Sequence, residues 1–203
     1  MPKERFFYLP KEKRESILCS AKEEFTRFHF EEVSVSRIVK GAGISQGSFY
    51  TYFENKEDLR RYLFEGLWSE GKAWFYKVLE QCNGNICDAA LYAVVKLLKI
   101  DKEQPEFCYY RNILMDIEGI GKMNLIQEES SANSEKVFQG FVNTCYEMAD
   151  IGCIRAVDRD GFACLLEILV MIVLKSAIMF AAGDCNNVKI LMTAERQIQL
   201  LRA

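Results

Sequence analysis

The chain of 203 residues carries 26 basic and 29 acidic side chains, which gives a net charge of −3, and half of its residues are hydrophobic. This size and apolar content suffice for one large domain or two small ones with a substantial core. Eight cysteines without a CxxC spacing and a single histidine argue against a metal site or a histidine-based active site. The N-terminal residues alternate charged and aromatic side chains without the apolar run of a signal peptide, which predicts a cytoplasmic protein.

Helical periodicity runs through almost the whole chain. Only three prolines interrupt it, and residues that favour helices are abundant. Apolar residues at i, i+3 and i+4 predict an all-α fold of about nine helices. The predicted helices span residues 11–28, 35–42, about seven residues after Ser45, 56–82, 86–100, 105–117, 124–151, 159–182 and 186–201.

Three positions predict the geometry of the second and third helices. Ser34 precedes the second helix, where its hydroxyl is suited to accept a hydrogen bond from a first-turn amide. Gly43 follows that helix and is able to take the positive φ of a sharp turn. Ser45 occupies the N-cap position of the third helix. Two short helices joined by a glycine turn are typical of a helix-turn-helix unit that binds DNA.

The third helix has one apolar face and one small polar face. The apolar residues of this region, which we expect to form a compact wedge, are Ile38, Val39, Ala42, Ile44 and Phe49. On the polar face, Gln46 is able to form two hydrogen bonds with adenine, and Ser48 and Thr51 are less selective readers. Gly47 allows the backbone to approach DNA closely. Phosphates are the expected partners of the first-turn amides and of Tyr50, Tyr52 and Lys56.

Charge is divided unevenly along the chain. Residues 1–61 carry 12 basic and 10 acidic side chains, whereas residues 62–203 carry 14 and 19. Residues 33–53 contain Arg37 and Lys40 but no acidic side chain. An acidic protein is able to bind DNA through such a segment, because its carboxylates are kept away from the contact face.

Residues 34–59, SVSRIVKGAGISQGSFYTYFENKEDL, resemble the TetR family of bacterial transcriptional regulators. The resemblance rests on the AGIS turn, the QGSFYTYF helix and the NKEDL start of the fourth helix. It implies a DNA-binding domain over residues 1–55 and a helical effector-binding and dimerisation domain over residues 56–203. The residues that it places at DNA are Ser34, Ser36, Arg37, Ser45, Gln46, Gly47, Ser48, Tyr50, Thr51, Tyr52 and Lys56.

The end of the first helix departs from the family pattern. Many members have glycine before an aromatic residue there, and this chain has His29 before Phe30. Because histidine tolerates left-handed backbone better than most residues, we expect His29 to play this structural role.

The resemblance also implies a homodimer that binds a palindromic DNA operator and is released from it by a small molecule. The last two predicted helices are apolar on more than one face, which suits a dimer contact. No cofactor is expected besides the unidentified effector. The candidate pocket residues are Trp68, Tyr92, Tyr110, Phe138, Phe141, Glu167 and Met171.

Residues 162–182 approach the length of a membrane span. Glu167 and Lys175 interrupt them, and no basic flank or aromatic belt follows, so we expect a buried helix and no membrane partner. A carboxylate in that run needs a partner, such as Lys175, a second protomer or a cationic ligand, unless it lies at an exposed edge of the helix.

Three other functions are open to this sequence. Its eight cysteines allow the same DNA-binding unit to be controlled by oxidation, which would require exposed thiols of lowered pKa. A helical protein-binding adaptor is a second alternative, and a helical enzyme is a third. We expect no enzyme, because the chain offers no convergent set of acid, base and nucleophile.

Overall fold

The computed structural model describes residues 2–115, 132–155, 158–183 and 185–203. Within these ranges the chain forms ten α-helices and two short 3-10 turns. Nine of the helices correspond to the nine predicted ones, and the tenth is a single turn near the N-terminus. The predicted helical residues 116–117 and 124–131 lie outside the described ranges.

The helices vary from one turn to seven turns in length. Residues 30–32 and 151–153 form the two 3-10 turns. The helices are α1 Glu4–Phe7, α2 Lys11–Arg27, α3 Val35–Gly41, α4 Gln46–Tyr52, α5 Lys56–Gln81, α6 Ile86–Leu97, α7 Pro105–Met115, α8 Ala132–Met148, α9 Arg159–Ala182 and α10 Asn187–Gln199.

The chain is organised into two compact units. The first contains the chain up to Glu70 together with α7, and the second contains residues 71–100 and the chain from α8 onward. Helix α5 begins in the first unit and ends in the second. These compact units differ from the expected functional domains, and the boundary between DNA-binding and effector-binding domains at residues 55 and 56 stays a prediction.

Aromatic side chains form the core of the first unit. Phe6, Phe25, Phe49 and Phe53 are completely buried, together with Ile17, Ile38 and Leu59. The ring of Phe6 lies 4.9 Å from that of Phe53, and Phe49 lies 5.5 Å from Phe53. Because burying a phenylalanine side chain contributes about 1.5–3 kcal/mol, these rings bind α1, α2, α3 and α4 into one body.

Asn112 joins α7 to the end of α2. Its side chain is 1% exposed, and its amide nitrogen lies 2.9 Å from the carbonyl oxygen of Phe25, 3.3 Å from that of Thr26 and 3.2 Å from that of Phe28. The last carbonyls of a helix receive no hydrogen bond from within the helix itself. Asn112 therefore satisfies the buried end of α2 from a position more than 80 residues away in the chain.

The expected left-handed backbone at His29 is wrong. His29 has φ −66° and ψ 156°, which is ordinary extended backbone. Helix α2 ends through Phe28, which is also extended, and residues 30–32 then form a 3-10 turn. The chain leaves the helix without a left-handed residue, so nothing at this position requires glycine or a substitute for it.

In the second unit, α9 packs against α6 and α10. The turn between α5 and α6 has left-handed backbone at Asn83 and Gly84. A side chain at Gly84 would lie 2.7 Å from the carbonyl oxygen of Met148, so only glycine fits there. The amide of Asp150 donates to the carbonyl of Gly84 at 2.9 Å, which fixes the end of α8 on this turn.

Helix α9 is the one helix of the described residues that is long and apolar enough to cross a membrane. It also contributes to the core of the second unit, and Glu167 on it is half-buried whereas Lys175 is exposed. The carboxylate thus lies at an edge of the helix. The buried residues of α9 are Phe162, Leu165, Leu166, Leu169, Ile172, Ser176 and Phe180.

Candidate nucleic-acid interface

The turn between α3 and α4 has the geometry that its glycine predicts. Gly43 has φ +64°, and the amide of Ile44 donates to the carbonyl of Val39 at 3.0 Å. Among the wedge residues, Ile38 and Phe49 are fully buried and Ile44 is partly buried. The apolar face of α4 is therefore held on α3, and its opposite face points to solvent.

Serine hydroxyls organise the first turn of α4. The Ser45 Oγ accepts a hydrogen bond from the amide of Ser48 at 3.0 Å, which confirms Ser45 as the N-cap. The Ser45 and Ser48 hydroxyls lie 2.9 Å apart, and Thr51 Oγ1 donates to the carbonyl of Ser48 at 2.6 Å. Ser48 and Thr51 are thus half-buried and already bonded, whereas Gln46 is exposed.

Gly47 is exposed on the first turn of α4 in ordinary helical backbone. A Cβ at this position would meet only the Oγ of Ser45, at 3.8 Å. Alanine would fit without strain, and it is a better helix former than glycine by about 1 kcal/mol. The fold therefore gives no reason for glycine at position 47, and its contact with DNA stays a prediction.

Arg37 is bound by a buried carboxylate that sequence reasoning missed. Glu24 is 6% exposed, and its Oε1 lies 2.7 Å from Arg37 Nε and 2.6 Å from the second guanidinium nitrogen. Hydrogen bonding to Glu24 is the main cause that raises the pKa of Arg37. The guanidinium also lies 4.2 Å from the ring centre of Phe28. Arg37 is half-exposed, so its outer edge still faces solvent.

The expected hydroxyl cap at Ser34 is wrong. Ser34 is the N-cap of α3, but its side chain accepts no hydrogen bond from the helix. Its backbone amide donates to Glu24 Oε1 at 2.9 Å. Glu24 thus orders the start of α3 and Arg37 together, and Ser36 lies exposed on the same helix.

Lys56 holds the 3-10 turn that precedes α3. Its ammonium donates to the carbonyls of Phe30, Glu31 and Val33 at 2.8, 3.1 and 3.3 Å. An ammonium has three donors, so these bonds occupy all of them. This is a structural role that the sequence did not reveal, and a phosphate contact by Lys56 stays a prediction.

Lys3 lies at the C-terminal end of α4. Its backbone amide donates to the carbonyl of Tyr52 at 2.8 Å, and its ammonium donates to the carbonyl of Tyr50 at 2.9 Å. Tyr50 is 45% exposed and Tyr52 is half-buried. No local pattern links residue 3 to residue 50, so sequence reasoning missed this contact.

The candidate effector residues are distributed over both units. Trp68 and Tyr110 belong to the first unit, and the other five belong to the second. Phe138 and Phe141 are buried, with ring centres 6.3 Å apart, in a cluster with Phe75 and Tyr76.

The remaining three candidates of the second unit are more exposed. Tyr92 is 44% exposed and stacks on Trp74 at 6.4 Å. Glu167 and Met171 are one turn apart on α9, and Met171 is 43% exposed. The role of all seven residues as effector contacts stays a prediction.

The environments of several cysteines disfavour a reactive thiolate. Burial raises the pKa of Cys82, Cys87 and Cys145, the last to about 12. A hydrogen bond to Asp150 is the main cause that raises the pKa of Cys153. The thiolate is the reactive form of cysteine, and a raised pKa lowers the share of thiolate at these four positions at neutral pH.

Helices α3 and α4, with the Gly43 turn between them and α2 behind them, define a helix-turn-helix protein. Residues 17–63 match the sequence profile of the family described as bacterial regulatory proteins, tetR family. This region of the chain is therefore similar to the DNA-binding part of the tetR family of bacterial regulatory proteins.

Two curated relatives of Bacillus subtilis (strain 168) align with short segments. The uncharacterised HTH-type transcriptional regulator YdgC is 48% identical over 46 residues, which are 23% of this chain and 24% of YdgC. The uncharacterised HTH-type transcriptional regulator YhgD is 33% identical over 61 residues, which are 30% of this chain and 32% of YhgD. The chain thus matches a third or less of the length of each relative.

A solved structure extends the likeness in fold to most of the chain. It is a TetR-family transcriptional regulator from Mesorhizobium loti MAFF303099, with a TM-score of 0.57 and 16% sequence identity. The match covers 95% of this chain and 96% of that chain. The all-α fold expected from the sequence is confirmed.

Proposed function

We propose that this chain is a transcriptional regulator that binds a palindromic DNA operator through α3 and α4. The observation that carries the proposal is the exposed face of α4, which has no acidic side chain. Gly47 leaves open space on this face that no other part of the fold fills and that a DNA backbone is able to occupy. The N-terminal amides of α4 and the side chain of Gln46 lie on that same turn. Helix N-termini attract phosphate, and glutamine is suited to adenine.

The distribution of charge also favours the exposed face of α4 as the surface that contacts DNA. The segment from Val33 to Phe53 contains no carboxylate, and the buried carboxylate behind it, Glu24, is paired with Arg37. Paired charges cancel at a distance, so Glu24 adds little repulsion toward phosphates. A protein with an overall charge of −3 thus presents a neutral to basic surface here.

Replacing Gly47 with alanine tests this proposal. We expect the Gly47→Ala variant to unfold at the same temperature as the wild type or a few degrees higher, because alanine favours the helix. We expect its affinity for a duplex selected from a random library by the wild-type protein to fall at least tenfold, because the methyl group occupies the place of closest approach. Fluorescence anisotropy and thermal melting measure the two effects.

Gly66 provides the matched control. It is an exposed glycine of α5, and a methyl group added there would have no neighbour within 4 Å, so it is like Gly47 in packing terms. The Gly66→Ala variant should gain similar stability and keep the wild-type affinity. Equal DNA binding by Gly47→Ala and the wild type would show that α4 does not approach DNA through this turn.

We propose that the operator-binding form is a homodimer joined by α9 and α10. These helices expose apolar side chains in the second unit: Ile168 is 47% exposed, Met171 43%, Val188 61% and Met192 48%. Exposed apolar residues at helical spacing favour a protein contact. A dimer is also what a helix-turn-helix protein needs to read two half-sites about 34 Å apart.

The dimer proposal predicts the behaviour of a charged variant. An Ile168→Lys, Met192→Lys double variant should sediment as a folded monomer, because two lysines per protomer would be buried without partners in the contact. Its helical content should be unchanged. Ile100→Lys, at another exposed isoleucine of the second unit, should remain dimeric. Sedimentation of the double variant as a dimer would place the contact elsewhere.

We propose that a small molecule bound by the effector-binding domain, residues 56–203, releases the protein from its operator. The protein then acts as a repressor, because the regulated gene is blocked only while the operator is bound. Helix α5 is shared by both units and is the element through which binding could change the DNA-binding region. A ligand shifts the equilibrium only if it binds the DNA-free form more tightly. A compound that raises the melting temperature without lowering operator affinity is not this effector.

Regulation by cysteine oxidation is the alternative to a small molecule. The raised pKa of four of the cysteines argues against it, whereas Cys19 and Cys164 are exposed. Treatment of the purified dimer with peroxide decides the matter, because unchanged operator affinity excludes this form of control. In either case the DNA partner is consistent with a cytoplasmic protein.

A further inference from the structure

We infer that Lys3 is a phosphate-binding residue of the DNA interface, held in place at the C-terminal end of α4. This inference rests on the proposed function and extends it to a segment that lies before the family profile. The family profile begins at residue 17, and the two DNA-binding helices begin at residue 35.

The position of Lys3 is fixed by the fold. The backbone amide of Lys3 is bonded to the carbonyl of Tyr52, and the carbonyl of Lys3 accepts the amide of Phe6 at 2.9 Å. Phe6 is completely buried, with its ring 4.9 Å from Phe53 and 5.5 Å from Tyr62. The backbone that carries the lysine side chain is therefore anchored to the helix-turn-helix core.

The ammonium of Lys3 lies where a positive charge is needed. The C-terminal end of a helix carries a partial negative charge on its unpaired carbonyls, which would repel a phosphate. Lys3 Nζ is 2.9 Å from the carbonyl oxygen of Tyr50 and offsets that charge. Tyr50 is itself an expected phosphate contact through its phenol. Lys3 binds the carbonyl of this same residue, so its ammonium lies beside the backbone of an expected phosphate contact.

The ammonium also retains donors for a ligand. Lysine has three N–H donors, and the bond to Tyr50 uses one of them. Lys3 is exposed, so the other donors face solvent. Lys56 differs in this respect, because three backbone carbonyls already surround its ammonium. Of these two lysines beside the interface, Lys3 is the one whose ammonium has N–H donors available for a phosphate.

The experiment compares Lys3→Met, Lys3→Arg and Lys96→Met with the wild type. Methionine removes the charge but keeps the backbone bond to Tyr52 and the Phe6 anchor, so the variant should fold. Lys96 is an exposed lysine of the second unit, and its replacement changes the net charge equally. Anisotropy titrations at several salt concentrations use the selected operator and a duplex of unrelated sequence.

For Lys3→Met we expect weaker binding to both duplexes by a similar factor, roughly three- to tenfold, because a phosphate contact does not depend on sequence. The slope of log affinity against log salt concentration should fall in magnitude by about 1 for each bound protomer. Lys3→Arg should keep most of the wild-type slope, and Lys96→Met should match the wild type.

Two results would overturn the inference. An unchanged salt slope in Lys3→Met means that Lys3 makes no phosphate contact. Weaker binding to the operator alone, with normal binding to the unrelated duplex, means that Lys3 only positions α4. Failure of the wild-type protein to bind any duplex in a salt-dependent way would instead refute the proposed function itself.

Discussion

Replacing both Gln46 and Tyr50 with alanine is expected to abolish specific operator binding while the protein stays folded. Gln46 is exposed at the first position of α4, and Tyr50 lies one turn later on the same face with 45% exposure. A bidentate contact to adenine contributes about 1–3 kcal/mol, and a phosphate hydrogen bond adds about 1 kcal/mol. The combined loss corresponds to a fall in affinity of about 100-fold for each half-site, and a dimer that loses it at both half-sites no longer binds its operator specifically.

The stability of this double variant should change little, since surface substitutions usually alter the free energy of unfolding by less than about 0.5 kcal/mol. The matched control is Gln81→Ala with Tyr92→Ala, an exposed glutamine and an exposed tyrosine of the second unit. Each of the two tyrosines contacts one aromatic ring: Tyr92 stacks on Trp74, and Tyr50 meets Phe49 edge-on. Operator binding by the Gln46→Ala, Tyr50→Ala variant at wild-type strength in a gel-shift titration would contradict the assignment of α4 as the reading helix.

The features that the sequence predicted correctly are local ones. The Gly43 turn and the Ser45 cap depend on residues within a few positions of each other, so their geometry follows from residue type. The nine longer helices follow from apolar periodicity for the same reason. Helix α1, a single turn, is too short to leave such a pattern.

The features that the sequence missed join residues that are distant in the chain. Glu24 accepts a hydrogen bond from the amide of Ser34 itself, so a distant carboxylate binds the start of α3 and the Ser34 hydroxyl makes no cap. Lys56 binds carbonyls more than 20 residues earlier, and Lys3 binds one 47 residues later. Backbone carbonyls are identical in every residue, so no sequence pattern marks which of them a lysine will reach.

The effector residues illustrate a different limit. Aromatic residues are natural candidates because apolar pockets contain them, but cores contain them for packing reasons alone. Phe138 and Phe141 are buried against other rings, and Trp68 lies in a different unit from Tyr92. Composition therefore selects candidates for a pocket without saying which of them share one.

Replacing Asn112 with leucine is expected to lower the free energy of unfolding of the first unit by about 3 kcal/mol. The two hydrogens of the buried amide are shared among three carbonyl oxygens at the end of α2, and a buried acceptor that loses its donor costs about 1–3 kcal/mol. Leucine has a similar branched shape and is not smaller than asparagine, so the loss reflects hydrogen bonds and not a cavity. Hydrogen exchange of the last amides of α2, such as Phe28, should accelerate about 100-fold.

The control for this variant is Asn187→Leu, because Asn187 donates one exposed hydrogen bond to the carbonyl of Leu98 at 3.2 Å. Its loss should change exchange in the second unit only slightly. Exchange within α9 should be unaffected by Asn112→Leu, since α9 belongs to the other unit. Unchanged protection of α2 in Asn112→Leu would mean that the aromatic core alone holds α7. Lost protection would instead make Asn112 the residue on which the end of α2, and hence the 3-10 turn leading to α3, depends.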